Sequence, residues 1–274
     1  MNWLLKSFRK IFKPIERLYV AYDSGDKNKP TIVLLHGIAA TSKTWLPLIK
    51  EIDADKYRII ALDLLGFGKS PKPNNCDYSV NDHVDYIYKT LKKLKINKPY
   101  RIIGHSMGSI IAAQYCLRHQ KDVKDVYLLS LPLYFTNSEL HTNLTRTYTD
   151  MYLKAYDYIS QNKKFTILHS RRLRKLLSID DGIEVNEDNW NSFKLSLRNT
   201  IINQNTYDDV SKLKLPVTIF YGNLDEFVVT QNINKLADFN NVKIIKIKIV
   251  DHSVGSRFSK IVANHMIDYD NRSY

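Results

Sequence analysis

Cysteine is scarce in this chain of 274 residues, which contains only Cys76 and Cys116. The two are far apart and match no metal-ligand or redox spacing, so no metal site is expected from them. Cys116, within the stretch AAQYCL, is interpreted as a small core residue. This sparing use of cysteine favours a reducing compartment, and a cytoplasmic location is predicted.

Long apolar runs are also absent, and no segment is both long and apolar enough to span a bilayer. Internal repeats and low-complexity tracts are lacking too. The composition, with 44% hydrophobic and 25% charged residues, is that of a folded protein that can bury a large core without disulfides or metals. The length suits one domain with an insertion better than two equal domains.

Acidic side chains are fewer than basic ones. The chain has 28 Asp and Glu but 41 Lys and Arg, which gives a formal net charge of +13. Such a charge can attract nucleic acid or an anionic membrane. No nucleic-acid-binding motif accompanies it, and the lysines are spread along the chain. We therefore interpret most of the charge as a solvated basic surface and expect no nucleic-acid partner.

Residues 1–17 form a basic amphipathic pattern, which predicts a helix broken near Pro14. Apolar residues recur there at helical spacing with cations between them: Leu4, Phe8, Ile11, Phe12, Ile15 and Lys6, Arg9, Lys10, Lys13. The stretch lacks the continuous apolar core and the cleavage site of a secretory signal. Two interpretations remain open: a helix packed on its own domain, or a peripheral contact of residues 3–17 with the inner surface of a membrane.

After residue 17, strand patterns alternate with helix patterns. Four β-branched apolar runs predict buried strands: 31–37, 57–63, 100–104 and 216–222. Continuous apolar strands separated by helices predict an α/β fold, with a mostly parallel, doubly wound sheet covered on both faces. The predicted core comprises residues 18–135 and 213–274.

Between these two parts, residues 136–212 lose the strand pattern and predict a helical lid inserted into the sheet domain. Its large aromatic side chains either line an apolar cavity or form the packing face of the lid helices: Tyr148, Tyr152, Tyr156, Tyr158, Phe165, Trp190 and Phe193. A basic run either steers an acidic substrate, contacts anionic lipid or forms a solvated helix face: Arg171, Arg172, Arg174 and Lys175.

The stretch IIGHSMGSII, residues 102–111, places a serine between two glycines where a buried strand gives way to an apolar helix. This pattern predicts a nucleophile elbow, a tight turn that forces Ser106 into a strained conformation and exposes its hydroxyl. Gly104 and Gly108 are expected where the strand and the helix come too close for side chains. The N–H of Met107, in the first turn of the helix, can then stabilise an oxyanion.

A serine hydroxyl needs a base to become a nucleophile, and the base needs an orienting carboxylate. The chain order expected after such an elbow is serine, acid, histidine. His252 follows the last strand, where a loop at the carboxyl edge of the sheet presents it. Asp225, three residues after Gly222 at the end of another strand, is the preferred acid, with Glu226 and Asp251 as rivals.

A second oxyanion donor is expected from the loop after the first core strand, LLHGIAATSKTW. Gly37 allows the backbone to approach the site, and the N–H of Ile38 is predicted to point inward. His36 is expected to shape this turn rather than to act as a second base. No pair of His and Cys has metal-ligand spacing, so neither a metal nor a cofactor is predicted.

Taken together, LLHG with Trp45 downstream, DLLGFGKS, GHSMGS, YGNLDEFV and DHSVGSRF resemble the motifs of the α/β-hydrolase fold superfamily, in its lid-bearing esterase and lipase type. The resemblance covers nearly all of residues 18–270. It implies these roles: Ser106 as nucleophile, Asp225 as acid, His252 as base, and Ile38 and Met107 as backbone oxyanion donors. The basic N-terminal helix is not part of the family pattern.

The resemblance implies a serine hydrolase that cleaves a small-molecule carboxylic ester through an acyl-enzyme. The basic N-terminal helix favours a lipid or medium-chain ester. A carbon–carbon bond hydrolase, a thioesterase or a cofactor-free haloperoxidase would share these motifs, and so would a ligand-binding protein that retains the triad. The residues do not separate these alternatives, because one fold supports many activities.

Overall fold

Seven strands form one sheet within residues 16–135, 143–176 and 185–272, which are the residues that the computed structural model describes; for 143–147 and 171–176 it describes the backbone only. The strands are β1 (Val20–Asp23), β2 (Thr31–Leu35), β3 (Arg58–Leu62), β4 (Tyr100–His105), β5 (Val123–Leu129), β6 (Val217–Gly222) and β7 (Val242–Ile247).

The strand order is β1-β3-β2-β4-β5-β6-β7. The edge strand β1 is antiparallel to β3, and every other neighbouring pair is parallel. This arrangement confirms the predicted α/β class with a mostly parallel sheet. The predicted helix at residues 1–17 lies almost entirely outside the described residues, as do the side chains of the basic run at 171–175.

Helices cover both faces of the sheet. Their bounds are α1 (Leu46–Glu51), α2 (Val80–Leu94), α3 (Met107–Arg118), α4 (Asn143–Gln161), α5 (Lys163–Leu176), α6 (Trp190–Ser196), α7 (Thr206–Ser211), α8 (Thr230–Asn234) and α9 (Ser256–Arg272). Among these described helices, none combines the length and the apolar character that a membrane crossing requires.

Successive side chains of a strand point to opposite faces, and both faces of this sheet are buried. In β2, Ile32 and Leu34 join the apolar cluster with α1 and α9, whereas Val33 and Leu35 join the cluster with α2 and α3. The continuous apolar run that predicted this strand is therefore explained by burial on both sides.

The amino ends of β4 and β5 are fixed by a buried ion cluster. The guanidinium of Arg101 donates to both carboxylate oxygens of Asp125, at 2.5 and 2.8 Å, and to Asp270 of α9 at 2.9 Å. A bidentate arginine–carboxylate pair is strongly directional. The cluster locks α9 to the strands at the end of β4 opposite Ser106, so the carboxyl end is left for the site.

Between β5 and β6 the chain forms helices instead of strands. We call the described residues 143–176 and 185–202 the helical insertion; it contains α4, α5 and α6, and α6 continues as a wider turn through Leu197–Ile202. Its residues Tyr156, Ile159 and Leu197 lie over the carboxyl end of the sheet, in the wall of a cavity that also contains Ser106. The predicted limits 136–212 and the function as a lid remain predictions.

Candidate active site

The sequence around Ser106 folds into a sharp turn between β4 and α3. Ser106 has φ 53° and ψ −122°, a conformation that residues with a side chain rarely adopt and that costs about 1–3 kcal/mol. Its N–H donates to the carbonyl of Leu129 at 2.9 Å, and its carbonyl accepts from the N–H of Ser109 at 2.8 Å. Hydrogen bonds on both sides therefore hold the strained residue at the start of the helix.

Two glycines allow the backbones around this turn to meet. A Cβ atom on Gly108 would lie 2.1 Å from the carbonyl oxygen of Leu35, and a Cβ atom on Gly104 would lie 2.3 Å from the carbonyl oxygen of Gly108. Either contact is far inside van der Waals distance. A larger residue at either position would push α3 away from the sheet and displace Ser106.

Two backbone segments approach Ser106. Met107 is the buried first residue of α3, so its N–H has no acceptor within the helix and lies at the positive end of the helix dipole. The backbone of Gly37 also approaches, since a Cβ atom there would lie 3.2 Å from the Cβ of Ser106. Ile38 follows and lines the same cavity as Ser106. The residues of both predicted oxyanion donors therefore lie near Ser106, and the role of their N–H groups remains a prediction.

His252 and Asp225 form a buried pair. Nδ1 of His252 lies 2.9 Å from Oδ1 and 3.0 Å from Oδ2 of Asp225. Because an ionised carboxylate can only accept, Nδ1 carries the proton of the neutral imidazole and Nε2 is left as an acceptor. Burial is the largest single influence on the Asp225 carboxyl and disfavours its charge, but the attraction of His252 and the hydrogen bonds to the carboxylate together outweigh it, so the pKa of Asp225 lies below its ordinary value.

The structure places the two rival acids differently from Asp225. Glu226 is exposed, and its main-chain carbonyl accepts a hydrogen bond from the hydroxyl of Tyr152. The carboxylate of Asp251 accepts from the N–H of Ser253 at 2.9 Å and from its hydroxyl at 2.6 Å. Of the three candidate acids, Asp225 is the one that the structure places against His252.

A mostly apolar cavity contains both Ser106 and His252. The core contributes Gly37, Ile38, Ala39, Ala40, Thr44, His105, Pro132, Phe227, Ser253 and Val254 to its wall, and the helical insertion contributes Tyr156, Ile159, Thr166, Ser170, Val185, Phe193, Leu197 and Ile201. Within the part of the chain that the structure describes, no group of three or more His, Cys, Asp or Glu residues is arranged to hold a metal ion.

The aromatic residues of the insertion divide into several groups. Tyr156 and Phe193 line the cavity, and Trp190 packs on Phe193 with ring centroids 5.9 Å apart. Tyr148, Tyr158 and Phe165 are exposed. The expectation of a cavity lining therefore holds for two of the seven aromatics.

A family model described as the alpha/beta hydrolase fold matches residues 30–254. The chain belongs to this family. It is 26% identical over 267 residues to the probable lysophospholipase BODYGUARD 3 of Arabidopsis thaliana. The match covers 84% of this chain and 53% of the relative. To BODYGUARD 4 of the same plant it is 39% identical over 108 residues, or 39% of this chain and 26% of the relative. This α/β-hydrolase chain therefore spans about half the length of these relatives, or less.

Among solved structures, an esterase from Exiguobacterium antarcticum matches this α/β-hydrolase with a TM-score of 0.75. The match covers 92% of this chain and 94% of the esterase at 17% sequence identity. At this level of identity the likeness shows the fold, and the site has to be argued from its own residues.

His36 supports the turn that carries Ile38 in this α/β-hydrolase. Its Nδ1–H donates to the carbonyl of Gly37 at 2.7 Å, and its Nε2 accepts from the N–H of Leu64 at 2.9 Å. Burial lowers the pKa of His36 to about 4, so the ring is neutral at neutral pH. Both ring nitrogens are occupied, as expected for a residue that shapes the turn.

Sequence reasoning missed a second histidine beside His252, the predicted base. His105 is the last residue of β4, and its Nε2 lies 2.8 Å from the main-chain carbonyl oxygen of His252. The two rings are also in contact, with centroids 5.0 Å apart. The position of His105 directly before Ser106 was a usable signal, but its partner lies 147 positions away in the sequence.

Contacts to the loop that carries the predicted acid Asp225, here called the acid loop, were missed as well; one comes from the helical insertion and one from the segment after β5. The hydroxyl of Tyr152, on α4, donates to the carbonyl of Glu226, and the hydroxyl of Tyr134 donates to the carbonyl of Phe227 at 2.9 Å. The ring of Phe227 in turn packs on His252, with centroids 4.8 Å apart. The loop that carries Asp225 is thus held from the insertion side, which no local sequence pattern indicates.

Three fully buried histidines predict that the fold loses stability in acid. Burial lowers the pKa of His36 to about 4 and the pKa values of His83 and His105 to about 3. Because an unfolded histidine titrates near ~6.5, the unfolded chain binds more protons below that pH. The contribution of the three neutral histidines to the free energy of unfolding is therefore fully present above pH ~6.5. It is lost as the pH falls from there towards their pKa values in the folded protein.

His83 is one of these three histidines and can be changed without altering the cavity, because it lies outside the cavity wall. Its Nε2 lies 3.3 Å from Ser196 Oγ. Near pH 5, each such histidine contributes a slope of ~1.4 kcal/mol per pH unit to the free energy of unfolding. We expect His83→Gln to reduce the measured slope by about that amount in urea unfolding between pH 4.5 and 6. An unchanged slope would show that His83 is protonated in the folded protein.

Proposed function

We propose that this chain is a serine hydrolase that cleaves a carboxylic ester through an acyl-enzyme. The observation that carries the proposal is the buried pair of His252 and Asp225, whose histidine lines the same cavity as Ser106. A neutral histidine with its Nδ1–H bound to a carboxylate presents Nε2 as the base that a serine hydroxyl requires. Asp225 fixes this tautomer and stabilises the imidazolium that forms.

In the first half of the reaction, Oγ of Ser106 attacks the ester carbonyl carbon while His252 Nε2 takes its proton. The carbonyl π electrons move to the oxygen, which becomes an oxyanion. The N–H groups of Ile38 and Met107 are the proposed donors to it, and one such donor contributes about 3–4 kcal/mol of transition-state stabilisation in other serine hydrolases. When the carbonyl re-forms, the alcohol leaves with the proton from His252 and the acyl group stays on Ser106.

In the second half, water attacks the acyl-enzyme. His252 takes a proton from the water as its oxygen bonds to the acyl carbon, and the same two N–H groups hold the new oxyanion. Cleavage of the bond to Ser106 Oγ returns the proton to the serine and releases the carboxylic acid. The strained turn at Ser106 supports both halves, because it presents Oγ at the helix N-terminus without further rearrangement.

The proposed substrate is a lipid ester or a medium-chain ester. Ile159, Phe193, Leu197 and Ile201 give the insertion side of the cavity an apolar wall. Burying one acyl methylene there is worth about 0.8 kcal/mol, so longer chains gain affinity until the cavity is filled. The names of the Arabidopsis relatives, probable lysophospholipases, agree with this class. In this proposal the insertion acts as the predicted lid and supplies the acyl site.

A fluorophosphonate probe should label Ser106, because it phosphonylates only a serine that a neighbouring base activates. We expect Ser106→Ala to lose the label, as read by mass spectrometry of the modified peptide. The same variant should lower kcat for p-nitrophenyl esters by at least ~10³-fold, as measured by the release of p-nitrophenol. Ser211→Ala is the control, since Ser211 is exposed at the end of α7 and lies outside the cavity wall, so this variant should keep both the label and the activity. Folded wild-type protein that shows neither label nor turnover of short and medium esters would contradict the proposal.

Narrowing the acyl side of the cavity should change the preferred chain length. We expect Ile159→Trp to lower kcat/KM for an octanoyl ester at least tenfold while the acetyl ester changes less than threefold, because the lost space matters only to the longer chain. Leu168→Trp, on the exposed surface of the same insertion, should change neither value. Equal loss for both esters in Ile159→Trp would place the acyl chain elsewhere.

A further inference from the structure

His105 is buried between the nucleophile and the base, and it is not used in the reaction described above. Its side chain is 4% exposed, and burial together with nearby His252 lowers its pKa to about 3. The ring is therefore neutral at neutral pH and carries a single N–H. Because a main-chain carbonyl can only accept, the 2.8 Å contact between Nε2 and the carbonyl of His252 places that proton on Nε2.

The remaining ring contacts of His105 fix its orientation. Nδ1, now a bare acceptor, has no hydrogen-bond partner among the described residues, and the backbone of Gly37 lies against it, since a Cβ there would be 3.4 Å away. The ring of Trp45 packs edge-on at 6.4 Å between centroids, and the ring of His252 at 5.0 Å. The Nε2–H bond is therefore the one polar contact that the structure gives this ring.

The main chain around His252 depends on side chains for its position. The loop between β7 and α9 begins with a bond from the N–H of Leu224 to the carbonyl of Val250, and it ends in the first turn of α9. Between these points the carbonyl of His252 is held by the side chain of His105. Asp225 fixes the rotation of the imidazole, whereas His105 fixes the backbone from which the imidazole extends.

We propose that His105 is a positioning residue, whose Nε2–H holds the carbonyl of His252 and so sets the distance of the base from Ser106. This inference rests on the proposed function. His105 and Ser106 are consecutive, so a single rigid side chain connects the nucleophile's own turn to the loop of the base. His105 donates no proton to the reaction and acts through His252 alone.

Two amide variants separate this role from packing. The amide nitrogen of glutamine lies about as far from Cβ as the imidazole Nε2, so His105→Gln can still donate to the carbonyl of His252. The amide of asparagine falls one methylene short, so His105→Asn cannot, although it is equally polar. His83 is another fully buried histidine, and it lies outside the cavity wall. The variant His83→Leu therefore shows what the loss of a buried histidine does to activity through stability alone.

The experiment measures kcat and KM for an ester and the second-order rate of fluorophosphonate labelling, each corrected for the folded fraction from circular dichroism. We expect His105→Asn to lower kcat and the labelling rate roughly 10- to 100-fold, since a displacement of about 1 Å has that effect, with KM within about threefold of wild type. His105→Gln should recover to within about threefold of wild-type kcat, and His83→Leu should react at the wild-type rate.

Equal corrected rates for His105→Asn and wild type would overturn the positioning role while the serine hydrolase proposal stands, because Ser106 would still be labelled. Equal losses in His105→Asn and His105→Gln would also overturn it, since the hydrogen bond would then not be the cause. Folded wild-type protein without label on Ser106 would overturn the proposed function, and the positioning role with it.

Discussion

The close contact between the first turn of α3 and the ends of β2 and β4 is the constraint on which the site depends. Glycine at 104 and 108 removes the two side chains that would otherwise keep the backbones apart. The contact forces Ser106 into a conformation with positive φ, and the hydrogen bonds to Leu129 and from Ser109 keep it there. Buried strands on both sides supply the rigidity that a strained residue needs.

His252, the proposed base, comes to this site from a distant part of the sequence, and several independent contacts hold it. Asp225 binds its Nδ1, the ring of Phe227 packs on it, and the side chain of His105 holds its carbonyl. The acid loop is itself tied to the insertion through Tyr152. Helix α4 therefore contributes both to the wall of the cavity, through Tyr156 and Ile159, and to the support of the loop that carries Asp225, through Tyr152.

Local signals explain what could be predicted from the sequence. Buried strands of a parallel sheet are apolar on both faces, so the run at β2 and the elbow around Ser106 were recognisable, and the fold class is confirmed. The contact of His105 with His252 joins residues 147 positions apart, and no local pattern encodes it. The cavity lining of the insertion depends on how each helix is rotated, which long-range packing sets, so Tyr156 could not be told from Tyr158 in advance.

The most direct test of the account is a crystal structure of the protein after reaction with a small alkyl fluorophosphonate. The account predicts a covalent bond from phosphorus to Ser106 Oγ, with the phosphonyl oxygen about 2.7–3.1 Å from the main-chain nitrogens of Ile38 and Met107. His252 Nε2 would then face Oγ. A phosphonyl oxygen that points to solvent, or a label on another residue, would contradict the assignment of this site.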